Sequence, residues 1–358
     1  MLRVYVRPLG VIAGDAARGA VQAGWAAPLD GGRGACAGYE IRRRGPEGIR
    51  RDLVATRDVT GWLARQAPEV RDQAQPLWDA LAGSCTWPAG LPERRPLIMG
   101  VVNVTPDSFS DGGQSLEPAA AIGHALRLRA EGADIVDIGG ESTRPGAGAV
   151  TAEEEIQRVV PVVEALAERD VLVSIDTRKA AVMRAAIAAG ARMINDISAL
   201  RHDPESLATA GASGLPVVLM HSQGEPATMQ AQPTYDDAAL DVFDHLAQRV
   251  ETWTAAGFDR SRLLIDPGIG FGKTIDHNLE ILNQLGLYLG LGLPLLLGAS
   301  RKSFIGRLAG GVPPPDRLSG SLAAAIHGVA AGIAVLRVHD VAATQQALAV
   351  WRAVTSPG

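Results

Sequence analysis

Eight short apolar runs recur from about residue 97 onward, and longer amphipathic segments separate most of them. Nearly continuous apolar runs are typical of strands that are buried on both faces of a parallel sheet. The segments between them, such as 119–132, 152–169 and 238–257, are rich in alanine and have the apolar spacing of helices. The predicted strands are LIMGVVNV (97–104), DIVDIG (134–139), VLVSID (171–176), MINDIS (193–198), PVVLMH (216–221), LLIDPG (263–268), LPLLLGAS (293–300) and AVLRVHD (334–340).

This alternation predicts an α/β fold with a parallel sheet. Eight strand–helix units over about 260 residues match the count and length of a (β/α)8 TIM barrel. A doubly wound open sheet is the alternative. In a TIM barrel the active site lies at the carboxyl ends of the strands, so the residues at those ends are the first candidates for chemistry.

Residues 1–95 lack the strand–helix alternation and hold four of the six tryptophans. Aromatic residues are scarce in disordered segments, so we expect this part to fold. We interpret it as a small mixed α/β accessory region of unassigned role, joined through LPERRP (91–96) to a catalytic barrel over 96–358. Its predicted strands are 3–10, 39–44 and 49–56, and its predicted helices are 58–66 and 68–83.

Composition excludes several classes of protein. The chain is 47% hydrophobic and 20% charged with a net charge of −5, and no basic block predicts nucleic-acid binding. No apolar stretch reaches the roughly 18–20 residues of a membrane span, and the arginine-punctuated N-terminus does not resemble a signal peptide. Only two cysteines are present, which favours a reducing cytoplasm, although a bridge between Cys36 and Cys85 stays open.

Every one of the eight predicted strands ends in polar or charged residues. A single aspartate after a strand is usually a helix cap or a turn residue. Eight polar ends that converge on one barrel mouth indicate a binding site instead. The residues at these ends are Asn103, Asp137, Asp176, Asn195, Asp196, His221, Asp266, Ser300, Arg301, Lys302, Arg337, His339 and Asp340.

The chemistry of these ends falls into two groups. Asp176, Asn195, Asp266 and Lys302 suit a flat heterocycle with an amidine-like edge, because carboxylates accept from its N–H groups and a cation or amide meets its carbonyl. Asn103, Arg337 and His339 suit a phosphate together with a hard metal such as Mg²⁺. Two glycine-containing loops, 105–115 and 141–151, are candidates for lids over the mouth.

Lysine is rare in this chain, and GIGFGKT (268–274) contains one of its three lysines. This segment fits neither the phosphate-binding loop nor the dinucleotide fingerprint, because Pro267 and Lys273 stand where those motifs need glycine. A coding bias toward arginine explains the rarity. Alternatively, Lys179, Lys273 and Lys302 mark sites where a compact ammonium works and a planar guanidinium does not.

Taken in order, NVTPDSFSDGG, DIGGESTRPG, SIDT, INDIS, LMH with QG, DPGIGFGK, GASRKSFIG and RVHDV resemble the dihydropteroate synthase family. The resemblance covers about residues 97–355, and the first 95 residues fall outside it. One small departure is Ser222, where many relatives have methionine. The resemblance implies an enzyme that joins 6-hydroxymethyl-7,8-dihydropterin pyrophosphate to 4-aminobenzoate, releasing pyrophosphate and 7,8-dihydropteroate.

The resemblance also implies roles for individual residues. The catalytic residues would be Asp111, Asp176, Lys302, Arg337 and His339. The pterin would meet Asp137, Asp176, Asn195, Met220, Asp266, Phe271, Gly298, Lys302 and Arg337. The aminobenzoate and the closing loops would involve Phe109, Thr143, Arg144, Pro145 and Ser303. Pyrophosphate would engage Asn103, Thr143, Arg337 and His339, with Mg²⁺ at Asn103.

We expect a dissociative substitution, in which the leaving pyrophosphate and the cationic pterin methylene are stabilised separately and closed loops exclude water. The helix at 318–332 is rich in small residues, and the family is usually dimeric, so a cytoplasmic homodimer is expected. Two alternatives stay open: a catalytically silent pterin-binding homologue and a methyltetrahydrofolate corrinoid methyltransferase.

Overall fold

An antiparallel sheet of four strands comes first in the chain. The computed structural model describes residues 2–105, 117–142, 150–224 and 229–356. The first elements are β1 (Arg3–Ala13), α1 (Asp15–Gln22), β2 (Ala27–Leu29), β3 (Gly34–Gly45), β4 (Gly48–Ala55), α2 (Val59–Ala64) and α3 (Pro68–Ala82). Strand β3 is central, because β1, β2 and β4 all pair with it.

The tryptophans of this N-terminal part form its core. Trp78 meets the rings of Tyr39 and Trp62 edge to face, with centroids 5.6 and 5.7 Å apart. The predicted strands and helices of this part are confirmed, whereas α1 and β2 were not predicted. Helix α1 has only eight residues, contains glycine and buries only Ala17, so its sequence is too short and too polar to stand out.

Eight parallel strands follow and close into a barrel. They are β5 (Leu97–Asn103), β6 (Ile135–Gly139), β7 (Val173–Asp176), β8 (Met193–Asp196), β9 (Val217–Met220), β10 (Leu263–Asp266), β11 (Leu296–Leu297) and β12 (Val335–Val338). The strand order runs from β10 through β5 to β12 and β11. A bridge between Ile265 and Leu295 joins the two ends of the sheet. The predicted TIM barrel is confirmed, and the open-sheet alternative is wrong.

Helices alternate with the barrel strands. They are α4 (Glu117–Ala130), α5 (Ala152–Ala167), α6 (Ala180–Ala188), α7 (Ser206–Ser213), α8 (Ala238–Ala255), α9 (Ile275–Asn283), α10 (Ser303–Leu308), α11 (Leu318–Ala330) and α12 (Val341–Thr355). One prediction needs correction. The segment 293–300 contributes only two strand residues, and Pro294 has no N–H for a ladder there. The small-residue helix predicted at 318–332 is present as α11, and α12 follows it.

Residues of the barrel strands alternate between two apolar clusters. One cluster, which includes Ile98, Val136 and Ile194, packs against the helices. The other fills the barrel interior and includes Met99, Ile135 and Met193. Because side chains of a strand point alternately to opposite faces, every second residue beyond the interior cluster also faces inward. This register fixes which polar residues reach the mouth.

The linker between the N-terminal part and the barrel closes the amino end of the barrel. Leu91 belongs to the interior cluster of the barrel and is buried, and Trp87 packs against that cluster. The guanidinium of Arg95 lies 4.0 Å from the Trp87 ring centroid. The end of the barrel opposite the polar mouth is therefore sealed by apolar side chains.

The N-terminal sheet docks on helix α8 through opposite charges. Arg44 Nη1 lies 2.7 Å from Asp241, and Arg3 Nη1 lies 2.7 Å from Asp244. The buried Tyr5 hydroxyl donates to Asp244 Oδ2 at 2.9 Å. Asp241 and Asp244 are three residues apart and so share one face of the helix. The sheet therefore lies against the side of the barrel.

Both cysteines are free thiols, so the bridge between Cys36 and Cys85 that the sequence left open is not formed. Cys36 is buried in the core of the N-terminal part, and burial raises its pKa. Across the described ranges, no helix combines the length and the apolar character needed to cross a membrane.

Candidate active site

The inward register carries polar residues to the mouth of the barrel. Each of three polar residues follows a residue of the interior cluster by two positions. They are Asp137 after Ile135, Asn195 after Met193, and Asp266 after Leu264. The same step leads to the remaining predicted positions on the strands. They are Asp176 on β7, Met220 on β9, Gly298 after β11, and Arg337 and then His339 at the end of β12.

A guanidinium joins the two carboxylates at the centre of the mouth. Arg337 Nε donates to Asp137 Oδ2, and Arg337 Nη2 donates to Asp176 Oδ2, each at 2.7 Å. Asn195 Nδ2 donates to the same Asp137 oxygen at 3.1 Å. The other oxygen of Asp137 is buried and has no hydrogen-bond partner among the described residues. The cluster therefore offers a buried acceptor that is still unused.

Burial governs the charges of this cluster. It raises the pKa of Asp176 to about 7, a shift that Arg337 opposes and Asp137 reinforces. Burial also disfavours the charge of Arg337, but the two carboxylates outweigh it and hold the pKa above its ordinary value. The guanidinium is thus charged at neutral pH, whereas Asp176 titrates there.

Asp266 and Lys302 stand across the mouth from this cluster. Asp266 Oδ1 accepts from the backbone N–H of Gly268 at 2.7 Å, and burial raises the pKa of Asp266 to about 6. Burial lowers the pKa of Lys302 to about 8, and Arg337 adds to that shift. The ammonium of Lys302 lies 4.0 Å from the centroid of the Phe271 ring, a cation–π contact.

His339 is held by Ser300. Its backbone N–H donates to Ser300 Oγ at 3.2 Å, and its Nδ1 lies 3.1 Å from the same hydroxyl. Burial, with Arg337 next, lowers the pKa of His339 to about 3, so the imidazole is neutral. Ser303 is exposed at the start of α10, and Asn103 is partly exposed at the end of β5.

Comparisons with known proteins identify the family of this chain. The family model for pterin-binding enzymes matches residues 99–339. Dihydropteroate synthase of Escherichia coli K12 is 48% identical over 262 residues, which are 73% of this chain and 92% of the relative. The chain belongs to the dihydropteroate synthase family of pterin-binding enzymes.

Solved structures agree with this assignment. A Xanthomonas albilineans dihydropteroate synthase with 4-aminobenzoic acid is 52% identical, with a TM-score of 0.69 over 73% of this chain and 93% of that one. The same enzyme in complex with 7,8-dihydropteroate is 48% identical, with a TM-score of 0.68 over 75% and 97%. The predicted family and function, a dihydropteroate synthase and hence a transferase, are confirmed. Neither alternative function is favoured by these relatives.

Part of the site predicted for this chain lies outside the described residues. The predicted loop residues there are Phe109, Asp111, Thr143, Arg144 and Pro145. The two glycine-containing loops that the sequence suggested as lids fall largely in the same ranges, 106–116 and 143–149. The roles of these residues stay predictions.

The structure also brings residues to the mouth that the sequence analysis did not select. A cavity of about 240 Å³ lies beside Phe271. Its polar lining gave no motif signal, because these residue types are common in turns. The other residues that line the cavity are Arg178, Ile197, Ser198, Arg201, His202, Ser222, Gly224 and Met229.

The three lysines have different surroundings in the fold. Lys302 lies at the mouth, as predicted. Lys179 donates to Glu141 at 3.1 Å and to the fully buried Glu155 at 2.5 Å. Lys273 is buried among backbone carbonyl groups beside His221. The carbonyl partners of Lys273 have no sequence signature, so only the rarity of lysine pointed to it.

Proposed function

We propose that the cluster of Asp137, Asp176, Asn195, Asp266 and Lys302 binds the pterin ring of the synthase substrate. The observation that supports this proposal most directly is that Arg337 bridges the buried carboxylate of Asp137 and the partly buried carboxylate of Asp176. The amino-pyrimidine edge of a pterin has the same pattern of N–H donors on a planar carbon–nitrogen group, so it can replace the guanidinium. The unused oxygen of Asp137 supplies a further acceptor.

The apolar faces of the pterin would be covered by side chains around this cluster. Met220, Phe271 and Ile197 are buried and belong to one apolar cluster. Gly298 has no side chain, which leaves space beside Arg337 and Asp266. A Cβ at this position would lie 3.9 Å from atoms of both residues and would occupy that space. The stem of Arg337 would pack on the ring once its guanidinium turns away from Asp176.

We propose that the leaving pyrophosphate meets Arg337, His339 and Asn103. The neutral imidazole of His339 can donate one N–H, and the guanidinium binds phosphate oxygens in a bidentate manner. Thr143 would join them, although it lies outside the described residues. Negative charge that develops on the leaving group is thus stabilised by groups already in place.

A magnesium ion fits this arrangement only with help from the substrate. Among the residues the structure describes, no group of three or more His, Cys, Asp or Glu side chains is arranged to hold a metal. Mg²⁺ often keeps several waters and binds few protein oxygens together with substrate phosphates. The amide oxygen of Asn103 fits that mode. When bound, the ion would neutralise charge on the pyrophosphate.

The reaction we propose is a dissociative substitution at the pterin methylene. Breaking the C–O bond leaves positive charge on the pterin, which Asp176 and the loop residue Asp111 would stabilise. The amine of 4-aminobenzoate would then form the new C–N bond and lose one proton to solvent. Phe109, Arg144, Pro145 and Ser303 are the residues proposed to surround its ring and carboxylate. Loop closure excludes water that would otherwise trap the cation.

The remaining assignments are also proposals. We propose residues 1–95 as an accessory domain and 96–358 as the catalytic domain, which the apolar cluster around Trp62 and Trp78 in the first part supports. A cytoplasmic homodimer is proposed from the free thiols and the small-residue surface of α11. Small molecules are the proposed partners, with neither nucleic acid nor membrane.

A turnover assay tests the function directly. The purified chain is incubated with the pterin pyrophosphate, 4-aminobenzoate and Mg²⁺, and both pyrophosphate and dihydropteroate are followed. We expect product formation that depends on all three additions. Pterin binding without turnover would contradict the proposal and favour a silent homologue. Analytical ultracentrifugation of the same sample tests the dimer.

A further inference from the structure

The turn 268–273 lies between strand β10 and helix α9 and packs tightly against the chain that follows β9. Gly268 and Gly272 have positive φ values of 68° and 62°. A Cβ at Gly268 would lie 1.9 Å from the carbonyl oxygen of His221, and one at Gly272 would lie 2.2 Å from that of Gln223. Only glycine therefore fits at these two positions of the turn.

A buried ammonium fills the inside of this turn. Lys273 is 3% exposed, and its Nζ donates to the carbonyl oxygens of Gly268 at 2.8 Å and Phe271 at 3.0 Å. His221 Nδ1 lies 2.9 Å from the same nitrogen, and the His221 carbonyl oxygen lies 3.4 Å away. An ammonium carries three N–H donors, so each has an acceptor.

The turn carries groups that face the proposed pterin site. The backbone N–H of Gly268 donates to Asp266, and the Phe271 ring lies under the ammonium of Lys302. Phe271 also packs with Met220 and Met229. A shift of the turn would therefore move an aromatic wall of the site and remove a hydrogen bond from Asp266.

Stability alone is a poor explanation for a charge at this place. A buried ion is usually no more stabilising than an apolar side chain of similar volume. Burial lowers the pKa of Lys273 to about 7, because the charged form loses its solvation, and Asp266 offsets part of this shift. The carbonyl oxygens of Gly268, Phe271 and His221 surround a single point, which suits a compact ammonium. A planar guanidinium spreads five N–H donors over a larger group and does not match this arrangement.

We propose that Lys273 is a positioning residue for the synthase reaction. Its ammonium holds the 268–273 turn in the shape that places Phe271 under Lys302 and the N–H of Gly268 on Asp266. The proposal rests on the assignment of Phe271 and Lys302 to the pterin site. It differs from that assignment in its test, because the position of the turn can be measured without substrate.

The test uses the full chain with Lys273→Gln and Lys273→Arg. Each is compared with wild type by steady-state kinetics, by thermal unfolding and by NMR of ¹³C-labelled methionine methyl groups. Val163→Ala is the matched control. Val163 is fully buried in α5, so its truncation should lower stability at a place away from the mouth. Met220 and Met229 report the Phe271 ring, while Met99 and Met183 report the rest of the barrel.

We expect both Lys273 variants to fold and to raise the KM for the pterin pyrophosphate about 10- to 100-fold, as a displaced positioning group does. The Met220 and Met229 methyl signals should shift without substrate, while those of Met99 and Met183 stay. Val163→Ala should lower the melting temperature with an unchanged KM.

Three results would overturn the proposal. The first is an unchanged KM with unchanged methyl signals in Lys273→Gln, and the second is a Lys273→Arg enzyme equal to wild type. The third is failure of both variants to fold, which would make Lys273 a residue of general stability. Shifted methyl signals with an unchanged pterin KM would instead show that the turn moves but that Phe271 does not bind pterin.

Discussion

The guanidinium of Arg337 binds the carboxylate of Asp176 through a hydrogen bond of 2.7 Å that spans the barrel mouth. Its Nε holds Asp137 at the same distance. One side chain thus bridges both carboxylates in the absence of substrate. When the pterin binds, its N–H groups compete for these acceptors, and the freed guanidinium can turn toward the pyrophosphate.

Replacing Arg337 with lysine tests whether the reaction needs a guanidinium that can bridge two carboxylates and bind pyrophosphate. A lysine keeps the charge but offers a single ammonium, so it cannot bridge Asp137 and Asp176 with fixed geometry. We expect kcat/KM for the pterin pyrophosphate to fall roughly 100-fold or more, in keeping with the loss of preorganised charge stabilisation. Steady-state kinetics at fixed 4-aminobenzoate measure this.

The control for that variant is Arg184→Lys. Arg184 forms an exposed ion pair with Glu205 on the outer surface of the barrel, so a lysine should serve there equally well. Equal turnover of wild type and Arg184→Lys is expected. An Arg337→Lys enzyme with wild-type kinetics would show that neither bridging nor bidentate phosphate binding is needed.

Asp266→Asn should make stability less dependent on pH. Burial raises the pKa of Asp266 from 3.8 to about 6, so the folded state binds the proton more tightly than the unfolded state. The resulting stabilisation is complete below about pH 4 and is lost as the pH rises through about 6. Above pH 7, the uncharged asparagine variant should therefore be more stable than wild type, by on the order of 1–3 kcal/mol.

Chemical unfolding of both proteins between pH 4 and pH 8 measures that difference. Other titrating groups are shared by the two proteins and largely cancel in the comparison. The same variant should bind pterin more weakly, because it loses a charged acceptor. A difference in unfolding free energy that stays constant across this pH range would contradict the assigned pKa.

Much of the fold and part of the site followed from the pattern of the sequence. Apolar strand runs predicted the barrel, and the two-residue register carries Asp137, Asn195 and Asp266 to one mouth. The bridge from Arg337 to Asp137 was not predictable, since the partners are 200 residues apart and depend on closure. The rarity of lysine pointed to Lys273, but its hydrogen bonds were not predictable because most of its partners are backbone carbonyl groups, which every residue possesses.

The docking of the N-terminal sheet can be tested at Tyr5. Its hydroxyl is buried and donates to Asp244, which also pairs with Arg3. Tyr5→Phe removes the donor and keeps the ring against Phe243, so we expect a loss of about 1 kcal/mol in unfolding free energy. A double-mutant cycle with Asp244→Asn isolates this pair. Additive effects would show that the hydrogen bond contributes nothing to docking.

Leu91→Ala tests the seal at the amino end of the barrel. Leu91 is 6% exposed and belongs to the same interior cluster as Leu97 and Met99, so its truncation leaves a cavity. We expect a loss of about 2–5 kcal/mol in unfolding free energy. Kinetic constants should stay at wild-type values, because the amino end of such a barrel serves stability rather than chemistry.

Denaturant unfolding and steady-state kinetics on the same preparation give both quantities. Leu308→Ala is a suitable control, because Leu308 is 60% exposed and its truncation should change stability little. A Leu91→Ala enzyme with a raised KM but normal stability would mean that the linker acts on the mouth. In that case the N-terminal part would influence substrate binding through the barrel interior. The assignment of stability to the amino end and of chemistry to the carboxyl end of the barrel would then be wrong.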